Sequence, residues 1–403
     1  CIKMANALFA CGSCLVAHSS VAQSSDSYKI KAEYIYGSIQ KHNDHLKNIV
    51  ANPVTGAEIA IEWQKTDGWH RYFNFPYVGV GATFLDLGNR YMLGYAFAVY
   101  PYMNIPLIRH ERFSVNIKPG AGISYVTKSF DDFREDVISG KMLYKKSNAA
   151  IGSNLNVYFS GGLNLEVPVT DKISFTADYS WNHMSNGMIK APNSGINMIN
   201  AFVGLKYLPN HSNRRDYYLH YYPAPDIPRD ITFEVTASGG VRQRYYRDDK
   251  SFPIASLAVG VYKPLTNYYR MGVGADLFYD GIFTSGLNPG YKRTYVSSDE
   301  LKNKVRLGIS WQNELLIGKL IAGIHAGIYL YDPVKNREPY IQAQYGGVHK
   351  GLIYPYDIEQ EDGWMYTRFS AKYMITRHIY AAIGLKSHLQ KAEFIEWGLG
   401  YRF

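Results

Sequence analysis

From Tyr28 onward apolar and polar residues alternate with a period of two. In "YKIKAEYIY" the positions Tyr28, Ile30, Ala32, Tyr34 and Tyr36 are apolar, while Lys29, Lys31 and Glu33 fall between them. Side chains on a strand point to opposite faces in turn, so this pattern predicts β-strand. Similar segments near 56–66, 70–84, 90–105, 112–128, 154–168, 172–186 and 196–208 bring the total to eight. Their joints alternate between tight ones, "PVTDK" at 168–172 and "DLGNR" at 86–90, and longer polar ones such as 131–149.

The stretch 209–229, "PNHSNRRDYYLHYYPAPDIPR", breaks the alternation, carries four prolines and reads as a linker. The pattern then resumes near 230–243, 253–264, 267–281, 302–317, 319–332, 364–375, 378–388 and 393–403, with 333–363 the least legible part. The two halves repeat one another. "INAFVGLKY" (199–207) lies over "IEWGLGYRF" (395–403), and "TDKISFTADYS" lies over "TRHIYAAIGLK" in the same phase. A repeated closing hairpin indicates a duplicated unit.

Long strands with aromatics near their ends, joined by short turns alternating with longer loops, describe an outer-membrane antiparallel β-barrel. The fold class is therefore all-β, an eight-stranded barrel unit that has been duplicated. The pattern admits either two small barrels or one larger barrel; a linker of some twenty residues favours two. The terminal Tyr401-Arg402-Phe403 resembles the C-terminal aromatic signal of outer-membrane proteins. A soluble β-sandwich fits less well, because the apolar rows are matched by small or polar residues instead of a second packed face.

Composition narrows the reading further. No apolar run reaches the 18 or so residues that a membrane helix needs. The three cysteines, Cys1, Cys11 and Cys14, all precede residue 15, which excludes a disulfide scaffold and a cysteine-based site in the main body. Lys3, the apolar stretch Ala5 to Val16 and the small residues "SSVAQ" form a secretory signal peptide over 1–23, cleaved near Ala22 or Gln23. The expected organisation is thus signal peptide 1–23, first barrel 24–208, linker 209–229 and second barrel-like repeat 230–403. The net charge of +9 is spread over scattered Lys and Arg, so anionic lipid phosphates and not nucleic acid are the expected counter-charge.

One strand carries candidate chemistry. In the segment that ends "WNHMSNGMIKAPNSGIN" (181–197), Ile173, Phe175, Ala177, Tyr179 and Trp181 form an apolar, lipid-facing row. His183 and Ser185 continue that row, with Cα atoms roughly 6.6 Å apart on one face. A secreted barrel chain starts in the periplasm, so this seventh strand ends at the outer leaflet. In the returning strand Asn197, Ile199, Ala201, Val203 and Leu205 form the outward row, which brings Asn197 to the same place. Three polar residues at the border of a lipid-facing surface are costly unless they do something.

The pattern "HxSNxxxKxPNxGI" over 183–196 resembles the signature of the PagL-type lipid A 3-O-deacylases, eight-stranded outer-membrane barrels that hydrolyse an ester-linked acyl chain of lipid A. The resemblance implies Ser185 as nucleophile and His183 as its general base. Asn186 and the backbone at Gly187 would belong to the oxyanion hole, and Asn193 would support the loop. The implied partners are lipid A or lipopolysaccharide and outer-membrane lipid, with no metal or organic cofactor. The family's third catalytic member is a glutamate; here the position holds Asn197. An amide oxygen accepts the imidazole N–H but does not balance the charge of an imidazolium. Aligned through Ile173 and Ile379, the second half places Leu389 and Lys391 where the first has His183 and Ser185, with His388 one residue out of phase. The alternative is a non-catalytic barrel with a structural or surface-interaction role that keeps a remnant of the motif.

Overall fold

A computed structural model describes residues 27–65, 68–209, 229–248, 250–284, 299–332, 364–388 and 391–403. The expected signal peptide lies outside these residues, as do 210–228 of the linker and 333–363. Among the described residues, sixteen strands form two closed antiparallel barrels. The first comprises β1 (Ser27–Ile39), β2 (Val54–Gln64), β3 (Tyr77–Asp86), β4 (Tyr95–His110), β5 (Phe113–Val126), β6 (Leu155–Pro168), β7 (Ile173–Ser185) and β8 (Ile196–Tyr207). The second comprises β9 (Thr232–Gln243), β10 (Ser251–Pro264), β11 (Tyr269–Asp280), β12 (Val305–Ile317), β13 (Leu320–Tyr331), β14 (Met365–Met374), β15 (Ile379–His388) and β16 (Lys391–Arg402). Because β8 pairs back onto β1 and β16 onto β9, the choice between two barrels and one larger barrel falls to two. Closure leaves no strand edge with unpaired backbone groups in lipid.

The alternation read from the sequence becomes an inside and an outside. On β1, Lys29, Lys31 and Glu33 are buried in the lumen, while Ile30, Tyr34 and Tyr36 are exposed on the outer wall. A lumen lined by charged groups has to be paired, since a lone buried charge is costly. Lys31 Nζ lies 2.7 Å from both Glu33 and Glu58, and Lys118 Nζ reaches Asp178 at 2.5 Å. Lys206 bridges Glu62 (3.1 Å) and Glu166 (3.2 Å), and Lys29 meets Glu166 at 2.7 Å. The Tyr102 hydroxyl donates to Glu62 at 2.8 Å. An eight-stranded barrel has just enough interior for its own side chains, and here they form an ionic plug. The second barrel uses the same device: Lys372 joins Glu234 and Glu314, and Arg368 joins Asp276 and Glu396.

At one end of the first barrel the lumen changes from polar to apolar. Ile35, Met184, Ile196 and Met198 face inward there and pack with Leu46 and Ile49 of α1 (Asp44–Ile49), a short helix in the β1–β2 connection. The connections 40–53, 87–94, 127–154 and 186–195 lie at this end, so the long loops form a packed cap. At the opposite end β4–β5 and β6–β7 are joined by the short turns 111–112 and 169–172.

Two expected strands are displaced. The segment 70–84 starts as a 3-10 turn, Gly68–Phe73, and β3 begins only at Tyr77, after Asn74 and Phe75 in the left-handed region and then Pro76. The segment 90–105 becomes β4 at Tyr95–His110. Asn89 accepts from the backbone of Leu93 and Gly94 and holds 90–93 as a turn until Gly94, at φ +67°, releases the strand. The joint expected to be tight at 86–90 is therefore part of the longer connection 87–94.

Candidate active site

Strand pairing assembles the site. On the outer wall of the first barrel, Phe159 of β6 lies directly across from His183 of β7, and His183 directly across from Asn197 of β8. Ser185 stands two residues further along β7 on the same outward row. His183 Nδ1 lies 2.6 Å from Asn197 Oδ1, and Nε2 lies 2.9 Å from Ser185 Oγ. An amide oxygen only accepts, so Nδ1 carries the ring proton and Nε2 presents its lone pair to the serine hydroxyl. This is the tautomer in which the hydroxyl donates to the imidazole, as a base-activated nucleophile requires.

The ring is held on several sides. Trp181 stacks nearly parallel to it at 5.6 Å between centroids and 13°, and Phe159 flanks it at 6.4 Å and 27°. Both aromatics belong to the lipid-facing rows, so the imidazole sits at the upper end of an apolar wall. The Gln40 N–H donates to the Asn197 carbonyl at 2.8 Å, which ties the end of β1 to the start of β8 beside the ring. Ser185 is 5 % exposed, whereas His183 is partly exposed.

The turn after Ser185 is cross-braced. The backbone N–H of Asn186 donates to Asn193 Oδ1 at 3.1 Å, and the Asn186 carboxamide donates to Ser153 Oγ at 3.0 Å. Gly187 follows at φ +58°. The structure thus brings together His183, Ser185 and Asn197 in one hydrogen-bonded chain, and sets Asn186 and Asn193 against each other in the adjoining loop. Sequence reasoning missed Gly195, where a Cβ would run into the His183 ring, and Ser153, which anchors Asn186 from the β5–β6 loop. The glycine stood inside the "PNSG" motif; the serine gave no signal, because its partner is 33 residues away.

In the second barrel the side chains of Leu389 and Lys391 lie outside the described residues. His388 faces the lumen, as its phase requires, and shares a hydrogen bond of 2.8 Å with the Tyr329 hydroxyl. Ser370 approaches His325 at 3.5 Å, but on the same nitrogen that faces Glu314 at 3.3 Å and in the barrel interior, so this contact does not repeat the arrangement on the first barrel.

Closed eight-stranded barrels with ionic lumens and apolar outer walls define an integral outer-membrane β-barrel protein. Residues 56–206 match the family described as Lipid A 3-O-deacylase (PagL), and residues 231–346 and 348–403 match the family described as Acyloxyacyl hydrolase, C-terminal domain. The chain is a PagL-like outer-membrane β-barrel protein. Among solved structures it is similar to the outer membrane enzyme PagL at 15% identity, covering 44% of this chain and 98% of that one with a TM-score of 0.29. It is also similar to Neisserial surface protein A (9% identity, 46% and 97% covered, TM-score 0.29). A third likeness is to the Pseudomonas putida toluene transporter TodX (8% identity, 94% and 88% covered, TM-score 0.18). No curated protein matches the chain.

Proposed function

We propose that the first barrel is a serine esterase that removes an ester-linked acyl chain from lipid A at the outer leaflet. The observation that carries this reading is the Asn197–His183–Ser185 chain of hydrogen bonds on the lipid-facing row. Ser185 Oγ attacks the acyl carbonyl carbon while His183 Nε2 takes the hydroxyl proton. His183 then passes that proton to the departing sugar oxygen, leaving an acyl-serine and a free sugar hydroxyl. Water, deprotonated by the same imidazole, attacks the acyl-serine, and the fatty acid leaves as Ser185 regains its proton. The carbonyl oxygen becomes an oxyanion in both steps. Asn186 and the Gly187 backbone are the proposed donors to it. Asn186 is held beside the nucleophile by two contacts, its main-chain N–H to Asn193 and its carboxamide to Ser153.

The outer wall also suggests how the acyl chain is held. Below Asn197, β8 presents Ile199, Ala201, Val203 and Leu205. Ala201 lies across from Tyr179 of β7 on one side and Tyr36 of β1 on the other, 64 % and 55 % exposed respectively. A small floor residue between two aromatic walls makes a trough that descends from the nucleophile into the bilayer, where an acyl chain already lies. The Asn197 substitution favours a second reading, a non-catalytic barrel that retains the motif. Mass spectrometry of lipid A separates them: cells making the parent protein should yield lipid A lighter by one acyl chain, and cells making Ser185→Ala should not. Identical lipid A from parent, Ser185→Ala and protein-free cells would abandon the esterase.

A further inference from the structure

We infer that Gly195 is a positioning residue for His183, a backstop whose missing side chain defines where the imidazole sits. This inference rests on the esterase reading of the site. Gly195 adopts φ +76°, and a Cβ built there would fall 2.6 Å from His183 Cε1 and 3.4 Å from Nε2. The first distance is well inside van der Waals contact, so a side chain at 195 displaces the ring from its place between Asn197 and Ser185. A residue without a Cβ at 195 leaves the ring the place in which Nδ1 faces Asn197 and Nε2 faces Ser185.

The backstop is fixed from two sides. The Gly195 N–H donates to the Ala150 carbonyl at 2.9 Å and the Ser194 N–H to the Ala149 carbonyl at 3.3 Å, both in the β5–β6 loop. From the β1–β2 loop, Asn43 Nδ2 donates to Ser194 Oγ at 2.9 Å. Two loops thus converge on a dipeptide that presents no Cβ to the base.

The test needs a control for backbone strain, because alanine at positive φ is unfavourable wherever it stands. Gly140 supplies it: φ is +81° and a Cβ there meets nothing within 4 Å. In the full-length protein, Gly195→Ala should keep the parent's heat-shift in a gel and its KM, and lose roughly 10²-fold in kcat, the effect of an ångström-scale misplacement of a catalytic group. Gly140→Ala should behave as the parent. Asn43→Ala, which loosens the clasp without adding atoms, should lower kcat by a smaller factor, and it carries the test if Gly195→Ala does not fold. Parental kcat in the folded Gly195→Ala, or an equal loss in Gly140→Ala, overturns the inference. If the parent itself hydrolyses no ester, the esterase reading fails and the positioning claim is decided by nitrogen NMR of the histidine rings. The His183 signal, identified by its loss in His183→Gln, should then move in Gly195→Ala and stay in place in Gly140→Ala; an unmoved signal in both overturns it.

Discussion

An amide in place of a carboxylate changes what the imidazole feels during the reaction. At 2.6 Å the Asn197 oxygen fixes the tautomer of His183 as a carboxylate would, but it gives no net charge to the imidazolium formed when Ser185 is deprotonated. Its other face is a donor, and a flipped amide would push the ring proton onto Nε2, the wrong nitrogen for a base. An acid-to-amide change of this kind costs about 10⁴ in rate in a serine-protease triad. Asn197→Glu should therefore raise the initial rate of ester hydrolysis by up to roughly that factor. Asn197→Leu should lower it, since among the described residues Asn197 is the acceptor that faces Nδ1. A silent Asn197→Leu would show that Asn197 does not orient the base. The residues of the site were legible in the sequence because period two alone puts His183 and Ser185 on one face and the returning strand brings Asn197 beside them. Gly195 was not, because its role depends on the ring it abuts and not on any property of its own.

On the scale of strands, the β7–β8 hairpin and its neighbour β1 turn one outward face into a binding surface. The trough over Ala201 owes its shape to register: a shift of one residue would send Tyr36 and Tyr179 into the lumen. Ala201→Trp should fill it and lower kcat/KM by about tenfold or more, as loss of apolar pocket contacts does, chiefly through KM. The heat-shift should be unchanged, since the substitution faces lipid; an unaltered kcat/KM would place the acyl chain elsewhere. Alternation located fourteen of the sixteen strands closely, and the displaced pair, β3 and β4, shows why it fails. At 68–76 and 89–94 the aromatic and apolar residues continue the spacing of a strand, while Gly68, Asn74, Phe75 and Gly94 at positive φ turn the backbone away from it.

For the whole molecule, the sequence held the number of strands but not the number of barrels, because the alternation of a sixteen-stranded wall and of two eight-stranded walls is the same. The distinction lies in whether β8 returns to β1, a pairing between segments more than 150 residues apart. The lumen is similar: Lys29 and Glu166 meet across 137 residues, and only closure selects which buried cation serves which carboxylate. The plug makes the first barrel a rigid support for a site on its outer face. Lys31 is fully buried among Glu33, Glu58 and Asp178. Lys31→Met should leave buried carboxylates short of a cation and cost about 3–5 kcal/mol, seen as a lower midpoint in the heat-shift; an unchanged midpoint would show that the network is not under that electrostatic demand.

The central claim is that Ser185 becomes acylated, and this is measured most directly on the purified full-length protein mixed with an activated acyl ester, quenched in acid and digested. Mass spectrometry should find the acyl mass on the peptide that contains Ser185, absent from His183→Ala. Hydrolysis with no adduct at Ser185, or an adduct on another residue, would contradict the account.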